Sequence, residues 1–273
     1  MRPTSHAERK MATNLYTETV TSLTHWTDTL FSFQTTRNPG FRFLCGQSTP
    51  LGIVVDGHPL MDGENPVLKP ASMCSAVHEE HLEFFCSTAD GGDLVKRLAA
   101  MKAGDEVVVG GKPTGALTLN NLQPGAKQLY LFATTSGISP LLSVIKDIDT
   151  YEFYDYIVFV HSARHARELA FTEASITNLL KDEYFEEIVL KKLFFYPTVT
   201  GEPYLNVGRI TKLLEQGKLE MDLGMPPLDI ETDRVVLCGN KDMVKDVRTL
   251  IEARGFTEGS HQTQGHFLVE TAL

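Results

Sequence analysis

Two textures of hydrophobic pattern divide the chain. From Leu15 to Leu119 short alternating runs are broken by turn residues. "ETVTSLTHWTDTLFSFQTT" reads as two strands around a polar turn, and "LGIVVDG" ends in the Asp-Gly pair that closes tight hairpins. "HLEFFCSTA" and "DEVVVGGKPTGALTL" alternate in the same way. Only "DLVKRLAAMKAG" spaces its apolar residues helically and closes on glycine, which predicts a helix over 93–104. Many short strands with one helix predict a β-barrel or sandwich.

After "LQPGAK" the texture changes. "QLYLFATTSGISPLLSVIKD", "YDYIVFVHSARHARELAF" and "DRVVLCGNKDMVKDVRTLIEARG" each run from a buried strand through a turn into a helix. That alternation predicts a parallel α/β sheet, and such sheets bind ligands at the carboxyl ends of their strands. Those ends are "TTSG", "HSAR" and "CGN". With the break near Pro124 and Gly125, the chain divides into a disordered tail (1–12), a β-barrel unit (13–125) and an α/β unit (126–273). A length of 273 residues suits two units.

Charge and composition narrow the chemistry. A net charge of −10 argues against nonspecific binding to nucleic acid or an anionic membrane, both of which need a basic face. No apolar run reaches the ~18 residues of a membrane span. "MRPTSHAERKMATN" lacks the hydrophobic core of a signal peptide. The four cysteines show no CxxC spacing, and without a secretion signal they read as reduced, buried cytoplasmic thiols. His78 and His81, like His161 and His165, lack a third ligand, so no metal site is expected. Arg164, Arg167 and Arg209 are candidate phosphate contacts, weighed against solvated surface charge.

A run of motifs then carries a resemblance. "HWTDTLFSFQTTRNPGFRF", "EEHLEFF", "GDEVVVGGKPTGAL", "LSVIKDIDTYE", "FYPTVTGEP", "GRITKLLEQGKL" and "VVLCGNKDM" follow one another in the order seen in bacterial ferredoxin/flavodoxin–NADP reductases. The resemblance extends from about Asn14 to Leu273. It implies a two-domain fold: an N-terminal antiparallel Greek-key β-barrel that binds FAD, and a C-terminal parallel α/β domain that binds NADPH. It also implies electron exchange with ferredoxin or flavodoxin, and a monomer.

Compared with that family, the ligand contacts differ. The flavin motif Arg-x-Tyr-Ser reads Lys69, Pro70, Ala71, Ser72, followed by Met73, Cys74 and Ser75, after an insertion from Asp62 to Leu68. The lysine keeps the charge and loses the bidentate fork; the alanine loses the ring. The phosphate run at the barrel helix reads Gly92, Asp93, Leu94, Val95, Lys96, and Leu273 stands where the family has an aromatic covering the flavin. The pyrophosphate turn reads Thr134, Thr135, Ser136, Gly137, with Thr135 in place of glycine. Arg164 and Arg209 persist near the expected 2′-phosphate, and Gly201 replaces an arginine. Cys238 and Gly239 match the nicotinamide side, followed by Asn240 in place of serine. Ser72 and Cys238 are the catalytic candidates.

Three readings stay open. One is a flavoprotein oxidoreductase with a more open flavin pocket, FAD held loosely or lost, NADPH or NADH as donor, and a changed acceptor or small-molecule substrate. Another is an enzyme of the same fold acting on a metabolite in the inter-domain cleft without redox chemistry. The last is a non-catalytic binding module.

Overall fold

A computed structural model describes residues 14–89 and 91–271; the expected tail and Leu273 lie outside them. Strands β1 (Leu15–His25) and β2 (Leu30–Thr36) form the hairpin read from the first alternating run. β3 (Ser48–Val55) turns through Asp56 and Gly57, both at positive φ, into β4 (His58–Pro59). The insertion folds back as a small ribbon of β5 (Met61–Asp62) and β6 (Asn65–Pro66). β7 (Lys69–Ser72), β8 (His81–Ser87) and β9 (Glu106–Gly110) complete this part.

These strands make one curled antiparallel sheet, ordered β8-β2-β1-β9-β3-β7, with β4 also on β3. β9 enters between β1 and β3, the over-and-back connection of a Greek key. A bridge between Met73 and Phe84 brings the end of β7 against β8 and closes the curl. Val20, Phe31, Phe33, Phe84, Val107 and Val109 fill the interior. Helix α1 (Gly92–Ala99) caps it with Leu94 and Leu98. The helix is shorter than the pattern predicts. Gly104 at positive φ and the Asp105 carboxylate, which accepts from Lys102 N, form a turn that delivers β9 instead.

The second part is a five-stranded parallel sheet, ordered β12-β11-β10-β13-β14. β10 (Gln128–Thr134), β11 (Tyr156–Ala163) and β13 (Asp233–Gly239) end where the sequence places them. β12 (Leu193–Val199) and β14 (Phe267–Thr271) are its edges. Helices α2 (Ile138–Ile145), α3 (Ile148–Phe153), α4 (Ala170–Leu179) and α5 (Glu186–Lys192) precede the edge strand β12. α6 (Ile210–Glu215) and α7 (Lys218–Leu223) follow it, and α8 (Lys241–Glu252) lies between β13 and β14. The chain runs outward from β10 to β12, then returns to β13. The order therefore reverses beside β10, and the crevice between the ends of β10 and β13 is the topological switch point.

All eight residues of α2 are buried. Its polar stripe faces the barrel: Ser139 Oγ donates to Phe85 O, Ser143 Oγ to Ser75 O, and Lys146, one residue past the helix, bonds Glu83. One apolar cluster continues from Leu30, Cys74, Phe85 and Leu117 of the barrel into Leu131, Leu141 and Val236 of the sheet.

Candidate active site

The seam between barrel and sheet holds a cleft of about 420 Å³. Lys69, Pro70, Ala71 and Ser72 of β7 form one wall. Leu51, Phe85, Cys86, Leu94, Val95 and Leu98 form an apolar floor. Ser136, Ser139, Cys238, Glu270 and Thr271 face them from the sheet. The lining suits an organic ligand: mostly apolar, with a few convergent polar groups.

The α1 end of the cleft suits an anion. No side chain caps the first N–H groups of α1, and uncapped N–H groups at a helix start attract negative charge. Lys69 Nζ lies over this end and donates to Gly91 O at 2.8 Å. Gly92 holds φ +68°, and a Cβ there would stand 3.2 Å from that ammonium. Asp93, the opposing charge in this first turn, is paired with Arg97, which leaves the cradle able to take a diphosphate.

The cleft does not include every residue of the motif. Past Ser72 the chain turns beneath β8. Met73 lies fully buried in the barrel core, and Cys74 N donates to Glu83 O. Ser75 is equally committed: Glu83 N donates to its Oγ and Ser143 Oγ to its carbonyl. Met73, Cys74 and Ser75 are thus placed inside the protein, away from the cleft wall, because the Met73–Phe84 bridge draws the strand inward.

Burial holds the site thiols protonated. Desolvation pushes the Cys86 thiol up to about 12. Desolvation, then the neighbouring Glu270 charge, raises Cys238 well above its ordinary value. A thiol held this way is a poor nucleophile. Glu270 is the residue that sequence reasoning missed. It pairs in register with Cys238 across β13 and β14, and burial raises its carboxyl above the usual range. Its signal was the alternation of "FLVET" beside the β13 run, visible only once those strands are paired.

A second cavity of about 380 Å³ opens at the switch point. Thr134, Thr135, Ser162, Arg164, Thr200, Arg209, Asn240 and Lys241 line it, with Glu168, Asp242 and Asp246. The Thr134 hydroxyl is used internally, accepting from Asn240 N at 2.9 Å and from Asn240 Nδ2 at 3.2 Å. Asn240 in turn caps α8 through Met243 N. Gly137 and Gly239 are spacers. A Cβ on Gly137 would stand 2.2 Å from Cys238 O, and one on Gly239 would stand 2.1 Å from Thr134 Oγ1. Gly201 is packed against Arg164 in the same way, with Arg164 O 2.7 Å from a built Cβ.

The histidine pairs do other work. His81 lies 3.8 Å from Glu79, and His78 stacks on Phe185 at the edge of a third cavity. His161 is buried and paired with Thr172 Oγ1 at 3.0 Å; His165 contacts Glu202 at the surface. Among the described residues no group of three His, Cys, Asp or Glu side chains could hold a metal ion.

A curled Greek-key sheet set against a doubly wound sheet, with an anion cradle on one side of the seam and a switch-point crevice on the other, is the architecture of pyridine-nucleotide flavin reductases. The relatives narrow the class. A ferredoxin–NADP reductase from Pseudomonas aeruginosa is 44% identical over 261 residues, covering 95% of this chain and 98% of that protein. Ferredoxin–NADP reductase A from Sorangium cellulosum is 45% identical over 256 residues, covering 94% and 89%. The chain belongs to the ferredoxin–NADP reductase family. The structure of a Neisseria gonorrhoeae ferredoxin NADP+ reductase with bound FAD and NADP aligns with a TM-score of 0.82 at 25% identity, over 95% of this chain and 99% of that one. No family model matches the sequence.

Proposed function

We propose that the protein is an NADPH-dependent flavin reductase that carries FAD in the 420 Å³ cleft, binds the dinucleotide in the switch-point cavity, and passes electrons to ferredoxin, flavodoxin or a small acceptor. One observation carries this reading: the two cavities meet at a shared wall. Ser136 and Cys238 line the first, while Thr135, the neighbour of Ser136, and Asn240, two residues past Cys238, line the second. A ligand in each would abut the other across Cys238. The unit boundary is taken between Gly125 and Ala126, and the working form as a monomer.

Lys69 and the α1 N–H groups would hold a flavin diphosphate, and Ser72, Cys238 and Glu270 would surround the ring. When bound, the flavin supplies hydride acceptance and one-electron release. The chain's own part is placement and proton control. The apolar floor excludes water. The Ser72 hydroxyl offers a donor at the ring edge. Glu270, its carboxyl held above the usual range by burial, keeps a proton available near neutral pH more than a surface glutamate would. Arg164 and Arg209 would meet the 2′-phosphate; Gly201 leaves that contact with one cation fewer than the family pattern. Ala71 would leave the adjacent ring face uncovered, which would loosen the flavin and open room for a small acceptor.

The test is the visible spectrum of the purified protein with added FAD, then NADPH. Flavin bands that bleach on NADPH and recover on adding oxidised ferredoxin or flavodoxin are expected. A protein that takes up no FAD at high micromolar concentration overturns the reading.

A further inference from the structure

Among the described residues, two besides glycine hold a left-handed backbone: Asp56 at φ +52° and Thr135 at φ +51°. Asp56 is in the Asp-Gly hairpin turn, where a short polar side chain tolerates that conformation. Thr135 is a different case. It is β-branched, and such residues are the least tolerant of positive φ. The flanks impose the geometry. Thr134 is tied to Asn240 by two hydrogen bonds, and Gly137 is pressed against the Cys238 carbonyl with no room for a Cβ. Residue 135 must therefore take this conformation whatever its side chain, and glycine would take it without strain.

No interaction inside the protein offsets the strain. The Thr135 side chain is exposed on the wall of the switch-point cavity, and its hydroxyl makes no hydrogen bond among the described residues. Strained residues persist at ligand clamps, where the benefit lies in the bound state. The cavity holds Arg164, Arg209 and Lys241 alongside Glu168, Asp242 and Asp246, so its cations can pair with an anionic ligand, and a hydroxyl can donate to one. The β-branch also restricts the side-chain rotamer, so less freedom is lost when the hydroxyl meets a ligand.

We propose that the Thr135 hydroxyl is a ligand contact that donates a hydrogen bond to a phosphate oxygen of the dinucleotide, and that the strained backbone is retained to hold it there. A side-chain donor thus does the work that close backbone approach does when glycine stands at this turn. The proposal rests on reading this cavity as the dinucleotide site.

Three variants of the full chain separate the contributions. Thr135→Val keeps shape and strain but loses the hydroxyl. Thr135→Ser keeps the hydroxyl. Thr135→Gly removes both strain and hydroxyl. Binding of NADP+ is measured by calorimetric titration and stability by thermal melting, neither of which needs turnover. Thr135→Val should leave the melting temperature within about 2 °C and weaken NADP+ binding about 10-fold, the scale of one hydrogen bond to a charged group. Thr135→Ser should bind within about 3-fold of the parent. Thr135→Gly should melt roughly 2–6 °C higher, by relief of strain in a chain of this size, and bind NADP+ no more tightly than the parent, because close backbone approach then only replaces the lost hydroxyl. Equal NADP+ affinity in parent and Thr135→Val overturns the proposal, as does a glycine variant that binds more tightly than the parent. A parent protein that binds neither NADP+ nor NAD+ overturns the reading of the cavity itself.

Discussion

Lys146 joins the two parts of the molecule, and removing its charge should loosen them. Its ammonium lies 3.2 Å from Glu83 Oε2 and 3.5 Å from Glu79 Oε1, with the lysine and Glu83 side chains each 12% exposed and Glu79 20%. Lys146 follows α2, whereas Glu79 and Glu83 belong to the barrel, so the contact crosses the seam. At an effective dielectric of about 20, a charge pair at this separation attracts by about 5 kcal/mol before desolvation. Desolvation of both ions offsets much of that, so the pair's net worth is small, yet breaking it by deleting one partner typically costs about 3–5 kcal/mol. Lys146→Met leaves two carboxylates facing each other with no cation between them. Glu83 keeps one bond from Gln34 Nε2 at 3.2 Å, and Glu79 touches solvent, which puts the loss at the lower end, about 3 kcal/mol. For a chain of this size that is a fall in apparent melting temperature of roughly 6–12 °C.

Thermal melting followed by circular dichroism measures it. Lys146→Met/Glu79→Gln/Glu83→Gln should recover at least half of the loss, because it removes the repulsion as well as the attraction. Burial opposes the Lys146 charge, but Glu83 and Glu79 outweigh it and hold the ammonium above its ordinary 10.5. A base raised in the folded state contributes stability that is complete below pH 10.5 and lost as pH rises through the folded value. The gap between parent and Lys146→Met should therefore be constant from pH 7 to 9.5 and narrow above pH 10.5. A single variant melting within 2 °C of the parent at pH 7.5 would refute the reasoning.

Other perturbations follow from the same geometry. Ala71→Tyr restores a ring on the cleft wall and should tighten FAD binding about 3–10-fold, from the ~0.5–1.5 kcal/mol of an aromatic contact; unchanged affinity in a flavin-fluorescence titration would show that the ring does not lie on residue 71. Gly137→Ala drives a Cβ to 2.2 Å from Cys238 O and 2.4 Å from Cys238 C. Backbone cannot swing aside as a side chain can, so a loss of about 3 kcal/mol or more in urea unfolding is expected, and a loss under 1 kcal/mol contradicts the packing. Burial lowers His161 from 6.5 to about 3. The unfolded chain then takes up a proton below pH 6.5 that the native state refuses, so stability falls as pH drops from 6.5 toward 3, by up to ~1.4 kcal/mol per unit. Melting temperature between pH 7 and 5 should fall less steeply in His161→Gln, and parallel slopes would exclude the assignment.

Much of this architecture is legible in the sequence, and the illegible parts share a cause. The β1–β2 and β3–β4 hairpins were readable because alternation and an Asp-Gly turn are local signals. β12 was not read as a strand. Its run, "LFFYPTV", follows the last lysine of α5 with no glycine or other turn residue between and contains Pro197, which normally argues against a strand; the proline is tolerated because β12 is an edge. The cleft divides along the same line. Lys69 and Ser72 line the cleft, while Met73 to Ser75 pass inward from it, and nothing local reveals that the chain turns inward at the Phe84 bridge. Glu270 depends on the register between β13 and β14, a contact no local window contains.

The seam itself left a mark that can be read in reverse. In "ISPLLSVIK" the polar residues fall at Ser139, Ser143 and Lys146, spaced by four and then three, which is one face of a helix. On a surface helix that face meets water. Here every residue of α2 is buried, and the polar face bonds Phe85 O, Ser75 O and Glu83 across the seam. Such a stripe carries polar atoms that must all find partners, so it constrains the approach of the two parts far more than an apolar face would. An apolar face could slide by an ångström at little cost. These bonds cannot, and Ser139 also lines the cleft. The residues that break the simple inside–outside pattern are thus the ones that fix the width of the cleft, which is why departures from patterning cluster beside the site.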